Sequence, residues 1–124
     1  MNKLILFLTL IPLVLNGQSN KIKAYIDCRC DDNYLKQQTS FLEYVRDQDL
    51  ADIEILILDV RNPTGTRSFE IKIEGNNDYK ELTSSVLLSG YANDTASTLR
   101  DKLLNKLKLA LVPFLDKASY NTVS

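Results

Sequence analysis

The chain has 124 residues, with 15 lysines and arginines against 16 aspartates and glutamates, and no histidine. The near balance leaves no basic footprint for nucleic acid. The missing imidazole excludes histidine-based triads and histidine-bearing zinc sites. Only four glycines are present, and none builds a phosphate-cradling loop.

The N-terminal stretch MNKLILFLTLIPLVLNG reads as a secretory signal peptide. Lys3 precedes an apolar run from Leu4 to Leu15, interrupted only by Thr9 and Pro12. That run is 12 residues long, whereas a membrane span takes ~20. Cleavage is expected after the small Gly17, although Leu15 departs from the small-x-small rule. No cysteine follows the run directly, so no lipid anchor is expected. The expected organisation is a signal peptide over 1–17, one α+β domain over 18–118 and a polar tail over 119–124, in the periplasm or cell envelope. No later segment is expected to cross a bilayer as a helix.

Lys21 to Cys28 (KIKAYIDC) alternates, with Ile22, Ala24, Ile26 and Cys28 on one face, and predicts a strand. Its polar second face marks it as an edge strand or one with a solvated side. Asp31 and Asp32 are suited to cap a helix from Asn33 to Asp47, whose apolar stripe is Leu35, Phe41, Leu42 and Val45 with Tyr34. Asp52 to Val60 (DIEILILDV) is apolar on both faces and belongs in the centre of a sheet. Asn62-Pro63-Thr64-Gly65 is a turn, and Arg67 to Glu74 (RSFEIKIE) alternates cleanly, so these strands form an antiparallel hairpin. In it, Phe69, Ile71 and Ile73 face the core, while Ser68, Glu70, Lys72 and Glu74 face solvent.

After a second turn at Gly75-Asn76-Asn77-Asp78, Ser84 to Ser89 favours a third hairpin strand. Asp94 or Thr95 caps the last helix, which carries Leu99, Leu103, Leu107, Ala110 and Phe114 on one stripe, widened by Leu104 and Leu111. Pro113 is expected to kink or end it. The expected fold is α+β, a two-layer sandwich of order β-α-β-β-(β)-α. Both helices lie on one face of a small mixed or antiparallel sheet.

Asp27-Cys28-Arg29-Cys30-Asp31 is the only compact chemical constellation. Export makes a disulfide available to Cys28 and Cys30. Such a bond fits an irregular loop but not a regular strand. A structural clip or two buried structural thiols, a redox pair, and metal or intermolecular pairing all remain open. A redox pair would draw on the helix start to lower a thiol pKa, but Asp27 and Asp31 oppose a thiolate and only Arg29 favours it. Asp27, Arg29, Asp31 and Asp32 form the candidate loop or ligand site. Two thiolates do not complete a tetrahedral zinc site. The aspartates, including Asp47, Asp49 and Asp52, lack calcium-loop spacing and read mainly as caps. No catalytic residue, metal or cofactor is expected.

The segment YIDCRCDDNYLKQQTSFLEYVRDQDLADIEILI resembles the N-terminal region of uncharacterised exported proteins from Bacteroidetes and related bacteria. There, an Asp-Cys-x-x-Cys-Asp motif precedes a helix ending in Tyr-Val-Arg-Asp, followed by an Ala-Asp-x-x-x-x-Leu strand and a Thr-Gly turn. The matching positions are Asp27, Cys28, Cys30, Asp31, Tyr34, Phe41, Tyr44, Val45, Arg46, Asp47, Ala51, Asp52, Leu56, Thr64 and Gly65, and the later Asn93-Asp94-Thr95, Arg100 and Ala110-Leu111 also look similar. This chain has one residue between the cysteines instead of two, which weakens a strict redox motif. Larger members look like a periplasmic domain followed by an outer-membrane β-barrel. The element order is also similar to that of the N-terminal domain of the periplasmic protein TolB, a likeness of fold that transfers no function.

The leading expectation is therefore a non-enzymatic periplasmic or cell-envelope interaction domain, the soluble part of an outer-membrane assembly. It would recruit an envelope protein by strand addition at the first strand or at RSFEIKIE. The alternatives are an exported thiol–disulfide protein using Cys28 and Cys30, and a small-ligand or metal-binding module at the acidic loop.

Overall fold

The computed structural model of the protein describes residues 21–123; the expected signal peptide and its cleavage point lie outside them. In chain order the elements are β1 (Ile22–Cys28), α1 (Asp32–Gln38), β2 (Leu42–Tyr44), β3 (Ile53–Arg61), β4 (Arg67–Gly75), β5 (Thr83–Leu88) and α2 (Ala96–Val123). Short 3-10 turns, Gln48–Leu50 and Asn77–Tyr79, precede β3 and β5.

The strands form one mixed sheet of order β2-β1-β3-β4-β5. β1 runs parallel to both β2 and β3, whereas β4 is antiparallel to β3 and β5. The doubly apolar β3 lies in the middle, where both of its edges are paired. The hairpin turn closes through Gly65 N–H to the Asn62 carbonyl at 2.9 Å, and Gly65 takes a φ of +90°. Glycine reaches that region at little steric cost.

One core lies on one face of the sheet. Ile22, Ala24, Ile53, Ile55, Ile57, Ile71 and Ile73 supply its floor, and Leu35 from α1 with Leu103, Leu107, Leu111 and Phe114 from α2 supply its lid. The sandwich is thus α+β with two layers. Burying each of these isoleucine, leucine and phenylalanine side chains contributes ~1.5–3 kcal/mol against its exposed state, which makes this face the main source of cohesion.

Three local expectations are corrected. The first helix does not reach Asp47: it ends at Gln38, and Leu42–Tyr44 forms β2 on the free side of β1. The apolar FLEYV run suits a pleated surface as well as a helix. Thr39 Oγ1 donates to the Leu35 carbonyl at 2.6 Å and shares a 2.8 Å hydrogen bond with the Tyr44 hydroxyl, which closes the turn between α1 and β2. Ser68 is buried rather than solvent-facing.

Pro113 does not end α2, because the helix continues to Val123. The residue whose carbonyl loses its donor is Leu109. Both Pro113 and Leu109 are exposed, so that carbonyl is open to water, while Ala110, Leu111 and Phe114 anchor the helix on either side. The start of α2 follows the sequence: Thr95 Oγ1 accepts from Thr98 N–H at 3.1 Å.

Candidate functional site

The chain leaves β1 at Cys28 and bends before α1. Cys28 and Cys30 are disulfide-bonded across this bend, with Cα atoms 5.2 Å apart. That separation lies within the usual reach of a disulfide, because the backbone has already departed from strand geometry. Both cysteines are half-buried and pack against the core.

The next residue ties the loop to α2. Asp31 caps α1 by accepting from Tyr34 N–H at 3.5 Å, and its Oδ2 lies 3.5 Å from Arg100 Nη1. The Arg100 guanidinium sits over the Tyr34 ring at 4.3 Å. The Tyr34 hydroxyl in turn donates to Asp101 Oδ1 at 2.7 Å, and that bond pushes its pKa above the ordinary value. Disulfide, helix cap, ion pair and ring contact together hold the β1–α1 loop against the first turns of α2. Beside them lies an open cleft of about 530 Å³, lined in part by Cys30, Phe69 and Leu103.

The four candidate loop residues do not converge. Asp27 belongs to the opposite sheet face, being paired in register with Leu56. Arg29 is exposed. Asp31 meets Arg100, and Asp32 meets Lys36 one helical turn on at 3.7 Å. Among the described residues, no group of three or more cysteine, aspartate or glutamate side chains is arranged to hold a metal ion. The resemblance touches Arg100 but assigns it no role, and no local signal marks Asp101; both reach Tyr34 across the fold.

Breaking the clip should cost little. Its closed loop is three residues, and chain-entropy scaling gives roughly 1.5 kcal/mol for a loop that short. The double variant C28S/C30S is expected to lower the unfolding free energy by that amount, read in urea as an earlier midpoint at unchanged slope. The same drop should follow when dithiothreitol reduces the native chain.

The sheet edges differ from expectation. β1 is covered by β2 and β3, and RSFEIKIE, as β4, is covered by β3 and β5. The edges are the three-residue β2 and the six-residue β5. Along β4–β5 the register is continuous from Phe69↔Leu88 to Glu74↔Thr83. Beyond it, Gly75 N–H donates to the Leu82 carbonyl at 3.0 Å. Antiparallel pairing alternates, so Ser84, Val86 and Leu88 bond inward to β4. Thr83, Ser85 and Leu87 then direct their N–H and C=O groups outward. None of these outward groups has a backbone partner among the described residues.

The sheet face away from the helices carries Leu56, Leu58 and Val60 in a row along β3. Register places Tyr25 and Asp27 of β1, and Glu70, Lys72 and Glu74 of β4, on the same side. A pocket of about 240 Å³ opens there, with Tyr25 and Leu56 in its lining and Asp27, Glu54, Lys72 and Glu74 among its polar groups. Hydrogen bonds from Asn76 and Gln48 hold the Glu54 carboxyl below its usual range. Among the described residues, no helix is long and apolar enough to cross a membrane.

No protein-family model, curated protein or solved structure matches this chain.

Proposed function

We propose that the domain is a non-enzymatic periplasmic or cell-envelope module that docks an extended segment of a protein partner by strand addition at β5. One observation carries the reading: β5 (TSSVLL) is a six-residue edge strand that no other strand among the described residues pairs on its outer side. Sheet edges are commonly blunted by lysine, proline, bulges or short length. This strand contains no charge and no proline, and its register with β4 has no bulge. An added strand would bond to Thr83, Ser85 and Leu87, and its alternate side chains would meet Leu87 on the open face. Export rests on the sequence of residues 1–17, and the envelope setting follows from it.

The competing thiol–disulfide reading draws on the Cys28–Cys30 bond. Packing of both sulfur-bearing side chains against the core, and the tie from Asp31 to Arg100, favour a clip over an exchanging pair.

Ser85→Pro removes an outward N–H without touching the inward ladder, and proline is tolerated on edge strands. An envelope protein captured by the native domain should be retained at least ~10-fold less by this variant, a loss of ~1.4 kcal/mol. In the native complex the Ser85 and Leu87 amides should exchange with solvent more slowly. Equal retention by both forms, with unchanged exchange at β5, would overturn the reading.

A further inference from the structure

The open sheet face is amphipathic in a way a merely solvated face is not. Leu56, Leu58 and Val60 form a half-buried stripe, with Tyr25 beside it and Leu87, 57% exposed, toward the β5 edge. No described element covers this stripe.

Its charged surround is one-sided. Register puts Asp27, Glu43, Glu54, Glu70 and Glu74 on this face, against Lys23 and Lys72. Lys72 is already committed to Glu70 at 3.8 Å. Three carboxylates, those of Asp27, Glu54 and Glu74, therefore outnumber the one cation, Lys72, in the lining of the 240 Å³ pocket, which also includes Tyr25 and Leu56. That pairing of apolar floor and acidic rim suits a long cationic side chain, whose methylene stem packs while its head stays polar.

We propose that this face docks a basic amphipathic helix of a protein partner. The apolar side of the helix lies along Leu56, Leu58 and Val60, and a flanking lysine or arginine enters the pocket between Asp27, Glu54 and Glu74. The stripe from Leu56 to Val60 spans roughly 13 Å at strand rise, which is matched by about nine helical residues. An anionic membrane surface would be repelled by the same carboxylates, so charge selects a protein helix over a lipid headgroup layer. This surface does not depend on strand addition at β5.

Tryptophan is absent from the chain, so a single tryptophan in a probe peptide reports binding without background. Two synthetic helices would be titrated by fluorescence, identical in their leucine stripe but flanked by lysines in one and glutamates in the other. The lysine helix should bind at least ~10-fold more tightly, the scale set by a few surface charge pairs. D27K/E74K should remove most of that preference, and L58S should weaken binding of the lysine helix itself by a similar factor, with circular dichroism verifying the fold. Ser85→Pro should leave the affinity unchanged, which separates this surface from the β5 edge. Backbone amide shifts on binding should cluster on β1, β3 and β4. Equal affinity for the two helices, indifference to D27K/E74K, or shifts confined to α2 would each overturn the proposal.

Discussion

Phe114→Ala is expected to lower the unfolding free energy by ~3–5 kcal/mol, the usual cost of removing a buried aromatic ring. Phe114 is the largest fully buried side chain among the described residues. Its ring lies 6.4 Å from that of Tyr79, centroid to centroid, so it joins α2 to the turn that precedes β5. Pro113 sharpens the effect. The proline leaves the Leu109 carbonyl without its helical donor, so α2 depends on packing directly after that point. Small domains are stable by ~5–15 kcal/mol, and the loss would consume a large share of that. Leu109→Ala and Val112→Ala supply the contrast, because these residues are 56% and 53% exposed on the outer side of the same helix. They should change stability by under ~0.5 kcal/mol. Urea unfolding of the three variants measures the difference, and a Phe114→Ala loss below ~1 kcal/mol would show that the ring is not holding α2 to the sheet.

What the sequence reveals here depends on the range of the interaction. The β3–β4 hairpin is legible because alternation of period two and an Asn-Pro-Thr-Gly turn act within the one stretch from Ile53 to Gly75. The central place of β3 is legible because both its faces are apolar. β2 is not, since three residues are shorter than the pattern that would identify them. Leu42 and Val45 fit the helical stripe begun at Leu35 equally well, and only the unpaired side of β1, distant in sequence, decides between them. Continuation of α2 past Pro113 turns on which side of the helix the proline occupies, a matter of packing. The misplaced edge has a different cause. Alternation in KIKAYIDC and RSFEIKIE reports a solvated face, and a solvated face is not a free edge: faces are read from side chains, edges from which backbone groups lack partners. At the disulfide loop, Cys28 and Cys30 are legible by proximity. The Asp31–Arg100 and Tyr34–Asp101 contacts are not, because both bridge separate helices.

Gly75→Ala is expected to cost about 3 kcal/mol, far more than one methyl group at a strand end normally would. No unusual dihedral is involved; the constraint is a close approach of two backbone segments. At the end of β4 the chain turns back through Asn77–Tyr79, which brings the Tyr79 carbonyl directly over the Gly75 Cα. An added Cβ would overlap that oxygen and stand 2.8 Å from Tyr79 Cβ. The obstacle is main chain, so no rotamer change relieves it. Relief requires the turn to move, and the turn is pinned on several sides. Gly75 N–H bonds to the Leu82 carbonyl at 3.0 Å and Asn76 N–H to the Asp52 carbonyl at 2.8 Å. The Asn76 side chain donates to the Ala51 carbonyl at 3.2 Å and to Glu54 Oε2 at 2.8 Å. Displacing it would also draw the Tyr79 ring from Phe114. Overpacking of ~1–3 kcal/mol and one or two weakened hydrogen bonds of ~1 kcal/mol each together give the expected figure. Gly65→Ala is the informative comparison. Gly65 has a φ of +90° but nothing within 4 Å of an added Cβ, so it suffers conformational strain alone, without a clash. Strain at a single position of that kind costs ~1–2 kcal/mol. Thermal and urea unfolding should therefore rank Gly75→Ala as the more damaging of the two, with faster amide exchange at Leu82. The reverse order would mean that the turn yields freely, and that β5 is not held in place by the approach of Tyr79 to Gly75.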